Sequence, residues 1–306
     1  MKKKYLNIFF QVIALFFFIK VIFFDEVGYD KFAILKSKNL IILISLSIGI
    51  HFIITYFFFK IINIVSSKKT NYLDITSLYL QGAIVNQVLP GLGYLFRYYK
   101  LKLNSKINIA IYTTSQTLWS LFSIMAYFFA AFILGFIVIN SYFEIIFINF
   151  LILIILISFI KFRYKFFHII NQIFYKFKIT HSFFDNLRKI KKKLSKNKRY
   201  LFLIFIGFIM LLILECFIFN LGLNYFGISI SILQSSYIWI TSTIIAILVL
   251  INFLGMFEII ITLSASAFMP EVNDVLIFAI NLKIINLIAT FLIIIYCEIL
   301  RKLLNK

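Results

Sequence analysis

Long apolar runs alternate with short polar breaks along this chain. Several runs reach about 20 residues, the length a helix needs to cross roughly 30 Å of hydrocarbon. Because the runs are continuous, a β-barrel with its short alternating strands is excluded. The pattern predicts an all-α polytopic membrane protein. Full spans are expected near residues 5–24, 40–63, 108–139, 142–160, 200–221 and 275–298.

Two further apolar stretches are interrupted. Stretch 72–96 breaks at Pro90-Gly91-Leu92-Gly93, and stretch 230–269 breaks near Gly255. A broken helix leaves backbone groups unpaired in hydrocarbon, so such breaks persist only when buried in protein or lining a wet cavity. We therefore expect re-entrant elements, with an ordinary loop between helices as the alternative for the first break. The total is six spans if the second stretch is re-entrant and eight if both of its halves cross.

Basic residues predict the orientation of the chain, because cytoplasmic loops carry an excess of Lys and Arg. We take the membrane to be the bacterial inner membrane, and we expect both termini on its cytoplasmic side. The densely basic segment 161–199 is also expected there, joining halves 1–160 and 200–306 of one integral membrane domain. Within this segment, residues 184–199 are either a helix lying on the anionic inner leaflet or a solvated connector.

Composition narrows the possible functions. Hydrophobic residues make up 63% of the chain, and the formal net charge is +20. In a membrane protein such charge orients the loops, so nucleic-acid binding is not expected. The chain has no P-loop, HExxH or GxSxG motif and only three histidines, so neither a zinc site nor a catalytic triad is supported. We expect no metal and no cofactor, and catalysis is not favoured.

The two interrupted stretches resemble each other. "IVNQVLPGLGYLFR" and "VLINFLGMFEIII" each place an asparagine before a glycine and then a charge. Asn86 and Arg97 thus correspond to Asn252 and Glu258. This correspondence predicts an inverted repeat, an arrangement in which transporters place half-helices around a midplane site.

Charged residues within apolar stretches need partners, because an unpaired buried charge is costly. Arg97, Glu258 and Lys283 are natural partners for one another. The alternatives are that Arg97 extends to the cytoplasmic interface, and that Glu258 and Lys283 form a purely structural ion pair. Glu215, in the middle of span 200–221, is a further buried carboxylate that is suited to relaying a proton.

"NQVLPGLGYLFRYYKL" (86–101) resembles the first motif of the lysylphosphatidylglycerol synthase transmembrane region, the flippase-like domain. "FLGMFE" (253–258) is similar to its second motif, and Lys283 falls where many members carry a basic residue. Three features differ from the family pattern. Tyr94 stands near the place of an expected acid, "TTSQTLWS" (113–120) replaces a Glu-Arg pair, and the second motif lacks its usual proline.

The resemblance implies a membrane module that binds and translocates a phospholipid or a lipid-linked glycan in envelope biogenesis. The chain stops at "RKLLNK", and without the family's C-terminal transferase domain aminoacyl transfer is not expected. The expected partners are membrane lipids, above all anionic ones; the oligomeric state is open. The residues expected to contact the head group are Asn86, Pro90, Gly91, Gly93, Arg97, Asn252, Gly255, Glu258 and Lys283.

Two alternatives belong to other functional classes. One is a membrane enzyme, or a subunit of glycolipid or surface-polysaccharide synthesis, that binds lipid without moving it. The other is a scaffold that recruits a cytoplasmic transferase through segment 161–199.

Overall fold

A computed structural model describes residues 37–66, 70–88, 92–105, 107–138, 189–190, 192–249, 256–266, 268 and 272–304. Every regular element in these residues is a helix. The main helices are α1 (Ser37–Val65), α2 (Tyr72–Val88), α3 (Leu92–Ser105), α4 (Ile109–Val138), α5 (Lys198–Tyr225), α6 (Ile232–Val249), α7 (Met256–Ala265) and α8 (Val272–Leu304).

Four of these helices, α1, α4, α5 and α8, are long and apolar enough to cross a membrane. They confirm the spans predicted near 40–63, 108–139, 200–221 and 275–298. The spans predicted at 5–24 and 142–160 lie outside the described residues, so the total number of crossings stays a prediction. The chain is an all-α polytopic membrane protein.

The other four helices form two pairs within the interrupted stretches. Helices α2 and α3 pack on each other and are separated by residues 89–91; α6 and α7 also pack on each other and are separated by 250–255. Helix α3 has 14 residues and α7 has 10. At 1.5 Å per residue these are about 21 and 15 Å long, too short to cross the hydrocarbon. Each pair is a helical hairpin.

The two halves of the described bundle share one order of elements: long helix, short helix, short helix, long helix. Their packing is reciprocal. The hairpin helix α2 packs on α8, the last helix of the other half, and α6 packs on α4 in the same way. Likewise α1 packs on α8, and α5 packs on α4. This exchange of partners agrees with an internal repeat, but α3 contacts α4 much less than α7 contacts α8, and the repeat stays a prediction.

Helix α8 lies at the centre of the bundle, where it packs against α1, α2, α5 and α7. It is the most enclosed of the four long helices, and its interior positions include polar side chains such as Asn281 and Thr290. Helix α5, by contrast, exposes Phe202, Met210 and Phe217 on one side. An apolar exposed face of this kind suits contact with lipid tails.

Candidate functional site

Helices α2 and α3 cross in close contact through two glycines. A Cβ atom added at Gly93 would collide with the backbone carbonyl of Gly82, and it would lie 2.7 Å from the Cβ of Asn86. Membrane helices approach this closely only where small residues meet. The predicted site residue Gly93 therefore sets the spacing of the first hairpin, and Asn86 lies next to this crossing. Pro90 and Gly91 are outside the described residues.

The close crossing brings the side chain of Arg97 over the backbone of Gly82. Arg97 is buried, with 5% of its surface exposed. The alternative in which this side chain extends to the interface is therefore wrong. The guanidinium carbon lies 4.6 Å from the centre of the Tyr79 ring and 5.0 Å from that of Tyr94. Both distances are in the range of cation–π attraction.

Tyr94 is one of the two rings that contact the Arg97 guanidinium. Instead of a countercharge it offers Arg97 the face of an aromatic ring, which attracts a cation without neutralising it. Tyr79 belongs to a wall of rings that includes Trp119, 5.7 Å away in an edge-on arrangement. The sequence did not indicate Tyr79 or Tyr94 as site residues, because aromatic residues are frequent throughout the chain.

Several buried polar atoms around Arg97 lack a hydrogen-bond partner among the described residues. They include the Nε of Arg97 itself, the Tyr112 hydroxyl and the Gln116 side-chain oxygen. Tyr112 and Gln116 lie one turn apart on α4, and the ring of Tyr112 lies 5.8 Å from that of Tyr98, the residue after Arg97. No carboxylate in the described part of the chain forms an ion pair with Arg97. Among the described residues, this region therefore has a positive charge without a carboxylate partner and polar atoms without a hydrogen-bond partner.

The second hairpin contains an ion pair. Lys283 Nζ on α8 lies 2.7 Å from Glu258 Oε1 on α7, and the Glu258 side chain is only 3% exposed. The contact is not oriented as a hydrogen bond, and neither carboxylate oxygen has a donor among the described residues. Glu258 lies in the first turn of α7, where the helix dipole favours an acidic group. Asn252 and Gly255 are outside the described residues.

The prediction that Arg97, Glu258 and Lys283 form one cluster is wrong for Arg97. Glu258 and Lys283 are partners, but Arg97 is on α3, which packs on α2 and α4, whereas α7 packs on α6 and α8. The expectation failed because sequence spacing does not show which helix faces meet.

Glu215 on α5 forms hydrogen bonds to two neighbouring helices. Its Oε2 accepts a hydrogen bond of 2.6 Å from the Tyr127 hydroxyl on α4 and one of 3.4 Å from the indole N–H of Trp239. Trp239 is on α6, so the carboxylate contacts the second hairpin directly.

Comparison of the chain with protein families, curated proteins and solved structures found no significant match.

Proposed function

We propose that this protein binds the phosphate of a membrane phospholipid or lipid-linked glycan at Arg97 and moves the lipid between leaflets. The observation that carries the proposal is the buried guanidinium without a described carboxylate partner. A buried charge is stable only when it is paired. A phosphate would supply the missing charge, and it matches the planar donors of arginine.

Access from the lipid phase supports this choice of ligand. On helix α3, Tyr94 and Leu95 are exposed, with 41% and 63% of their surfaces accessible, while Arg97 two residues further along is buried. A lipid could therefore place its chains along the outer side of α3 and its head group at the guanidinium. A water-soluble anion would gain nothing from this apolar approach.

The two hairpins suggest how movement would occur. By the positive-inside rule, Lys100 and Lys102 favour a cytoplasmic location for the open end of the first hairpin. Helix α5 begins at Lys198 and α8 ends near Arg301 and Lys302, so the second hairpin, which lies between them, would open toward the opposite side. Inverted hairpins that alternately expose a central site are a common transporter arrangement. The resemblance to the flippase-like domain agrees with this proposal.

The test is translocation of a fluorescent phosphatidylglycerol in proteoliposomes, read by chemical quenching from outside. Wild-type protein should accelerate exchange between leaflets. Arg97→Gln should abolish the acceleration, and Arg97→Lys should leave a small part of it because lysine keeps the charge but not the planar donors. Lys102→Gln, at an exposed position on the same helix, is the matched control and should behave as wild type.

The outcomes separate the proposal from its rivals. If Arg97→Gln translocates at the wild-type rate, Arg97 is not the phosphate site. If wild-type protein binds the lipid but never accelerates exchange, the protein is a lipid-binding partner of an enzyme and not a transporter.

A further inference from the structure

A basic cavity lies at one end of the bundle, and no residue of helix α3 lines it. Its volume is about 300 Å³. Four of its lining residues are lysines and three are aliphatic: Lys189, Lys192, Lys193, Lys196, Val65, Ile111 and Ile190. The seven lining residues bring four basic groups and no acidic group to the cavity.

The lysines belong to a short helical stretch that is docked on the bundle. Ile190 is buried, with 4% exposed, in a cluster that includes Ile61 and Ile204, and Leu194 packs against the same cluster. Lys189, Lys192 and Lys196 remain exposed on the other side. This part of segment 184–199 is therefore an amphipathic element attached to the bundle, which excludes the solvated connector for these residues.

The cavity lies where three candidate spans meet a membrane surface. Val65 ends α1, Ile111 is in the first turn of α4, and Lys196 directly precedes α5. The positive-inside rule assigns this surface to the cytoplasmic leaflet. Aliphatic side chains on one wall and ammonium groups on the other match the boundary between the glycerol and the phosphate of a lipid.

We propose that this cavity binds the phosphate head group of an anionic phospholipid from the cytoplasmic leaflet. Its volume is at the small end of the range for ligand pockets, which suits a glycerophosphate and excludes a large glycan. Helix α3 does not line it, so the site is distinct from Arg97 and the inference does not depend on the proposed function. A lipid held here would join the basic segment to the ends of α1 and α4.

The test uses the full chain purified in detergent and native mass spectrometry with short-chain phosphatidylglycerol, phosphatidylcholine or inorganic phosphate. Each lysine near an anionic surface strengthens binding roughly fivefold. Replacing Lys189, Lys192, Lys193 and Lys196 together by glutamine should weaken phosphatidylglycerol binding by at least about tenfold. The matched control replaces four other exposed lysines by glutamine: Lys38, Lys60, Lys102 and Lys302. It should retain binding. All variants are also prepared with Arg97→Gln, which removes the contribution of the first site.

In the Arg97→Gln chain with the four cavity lysines intact, binding should prefer phosphatidylglycerol over phosphatidylcholine and should weaken as salt is raised. This salt measurement tests the proposal even if the quadruple variant is poorly folded. An unchanged phosphatidylglycerol preference in the folded quadruple variant would overturn the proposal. So would binding of inorganic phosphate as strong as that of the lipid, because the cavity would then be a site for soluble anions.

Discussion

The side chain of Arg97 lies directly on the backbone of Gly82. A Cβ atom at position 82 would be 2.5 Å from both Cγ and Nε of Arg97 and 2.8 Å from Cδ. Cγ lies near the backbone end of the arginine side chain. The side chain therefore cannot avoid an added methyl group by moving only its guanidinium. The absence of a side chain at Gly82 is therefore what allows the guanidinium to reach the rings of Tyr79 and Tyr94.

Gly82→Ala should displace Arg97 and weaken lipid binding. We expect at least a tenfold loss of phosphatidylglycerol binding at this site, with a loss of stability of about 1 kcal/mol, since a side chain can move more easily than a helix. Binding and thermal unfolding of the purified variant measure the two effects. Unchanged lipid binding in Gly82→Ala would show that the placement of Arg97 is unimportant.

Gly93→Ala should reduce stability more than it reduces lipid binding. The added methyl group would meet the backbone carbonyl of Gly82, and relief requires the two helices to separate. A destabilisation of about 1–3 kcal/mol is expected from such overpacking. Gly49→Ala on α1 is the control for both glycine changes, because nothing lies within 4 Å of its Cβ position. It should be neutral or stabilise by up to about 1 kcal/mol through helix propensity.

Removing one partner of the Glu258–Lys283 pair should destabilise the protein. Glu258→Gln leaves Lys283 facing a neutral group in a largely buried position, and we expect a loss of about 2 kcal/mol. The double change Glu258→Gln/Lys283→Gln should recover part of this loss, which a double-mutant cycle of unfolding temperatures would reveal. A double variant as unstable as the sum of the single variants would mean that the two residues act independently.

The exposed pair between Asp74 and Arg301 provides the comparison. Its atoms are 3.4 Å apart and its side chains are 32% and 46% exposed. Asp74→Asn should change stability by less than about 1 kcal/mol, because solvent screens an exposed ion pair.

Tyr127→Phe removes the hydroxyl that donates to Glu215 over 2.6 Å. Glu215 then keeps only the longer hydrogen bond from Trp239. The free energy of unfolding should therefore fall by about 1–3 kcal/mol. Tyr296→Phe, at a half-exposed ring on α8, should cost less than about 0.5 kcal/mol. Equal unfolding temperatures for the two variants would show that the bond to Glu215 does not contribute to stability.

The proposed inverted arrangement of the hairpins predicts opposite accessibility of their open ends. In a chain whose buried Cys216 and Cys297 are replaced by alanine, a cysteine at exposed Lys102 should react with a membrane-impermeant maleimide only from the cytoplasmic side. A cysteine at exposed Ser229, before α6, should react only from the opposite side. Labelling of both positions from one side would exclude inversion and would indicate a parallel repeat.

The sequence determined the described spans and the positions of the breaks. Spans near 40–63 and 200–221 follow from the length of apolar chain needed to cross hydrocarbon, and helices α1 and α5 agree with them. The breaks at Pro90 and near Gly255 were predicted because proline and glycine interrupt helices. Both properties depend on residues close together in the chain, so no tertiary information was required.

The tertiary structure decided which charges meet. It pairs Glu258 with Lys283, encloses Arg97 between Tyr79 and Tyr94, and gives Glu215 donors from Tyr127 and Trp239. These contacts join residues on different helices, and they depend on how each helix is rotated and how closely it approaches its neighbour. The close approach at Gly82 and Gly93 illustrates the reason: packing of small residues, and not local charge pattern, places the guanidinium inside the bundle.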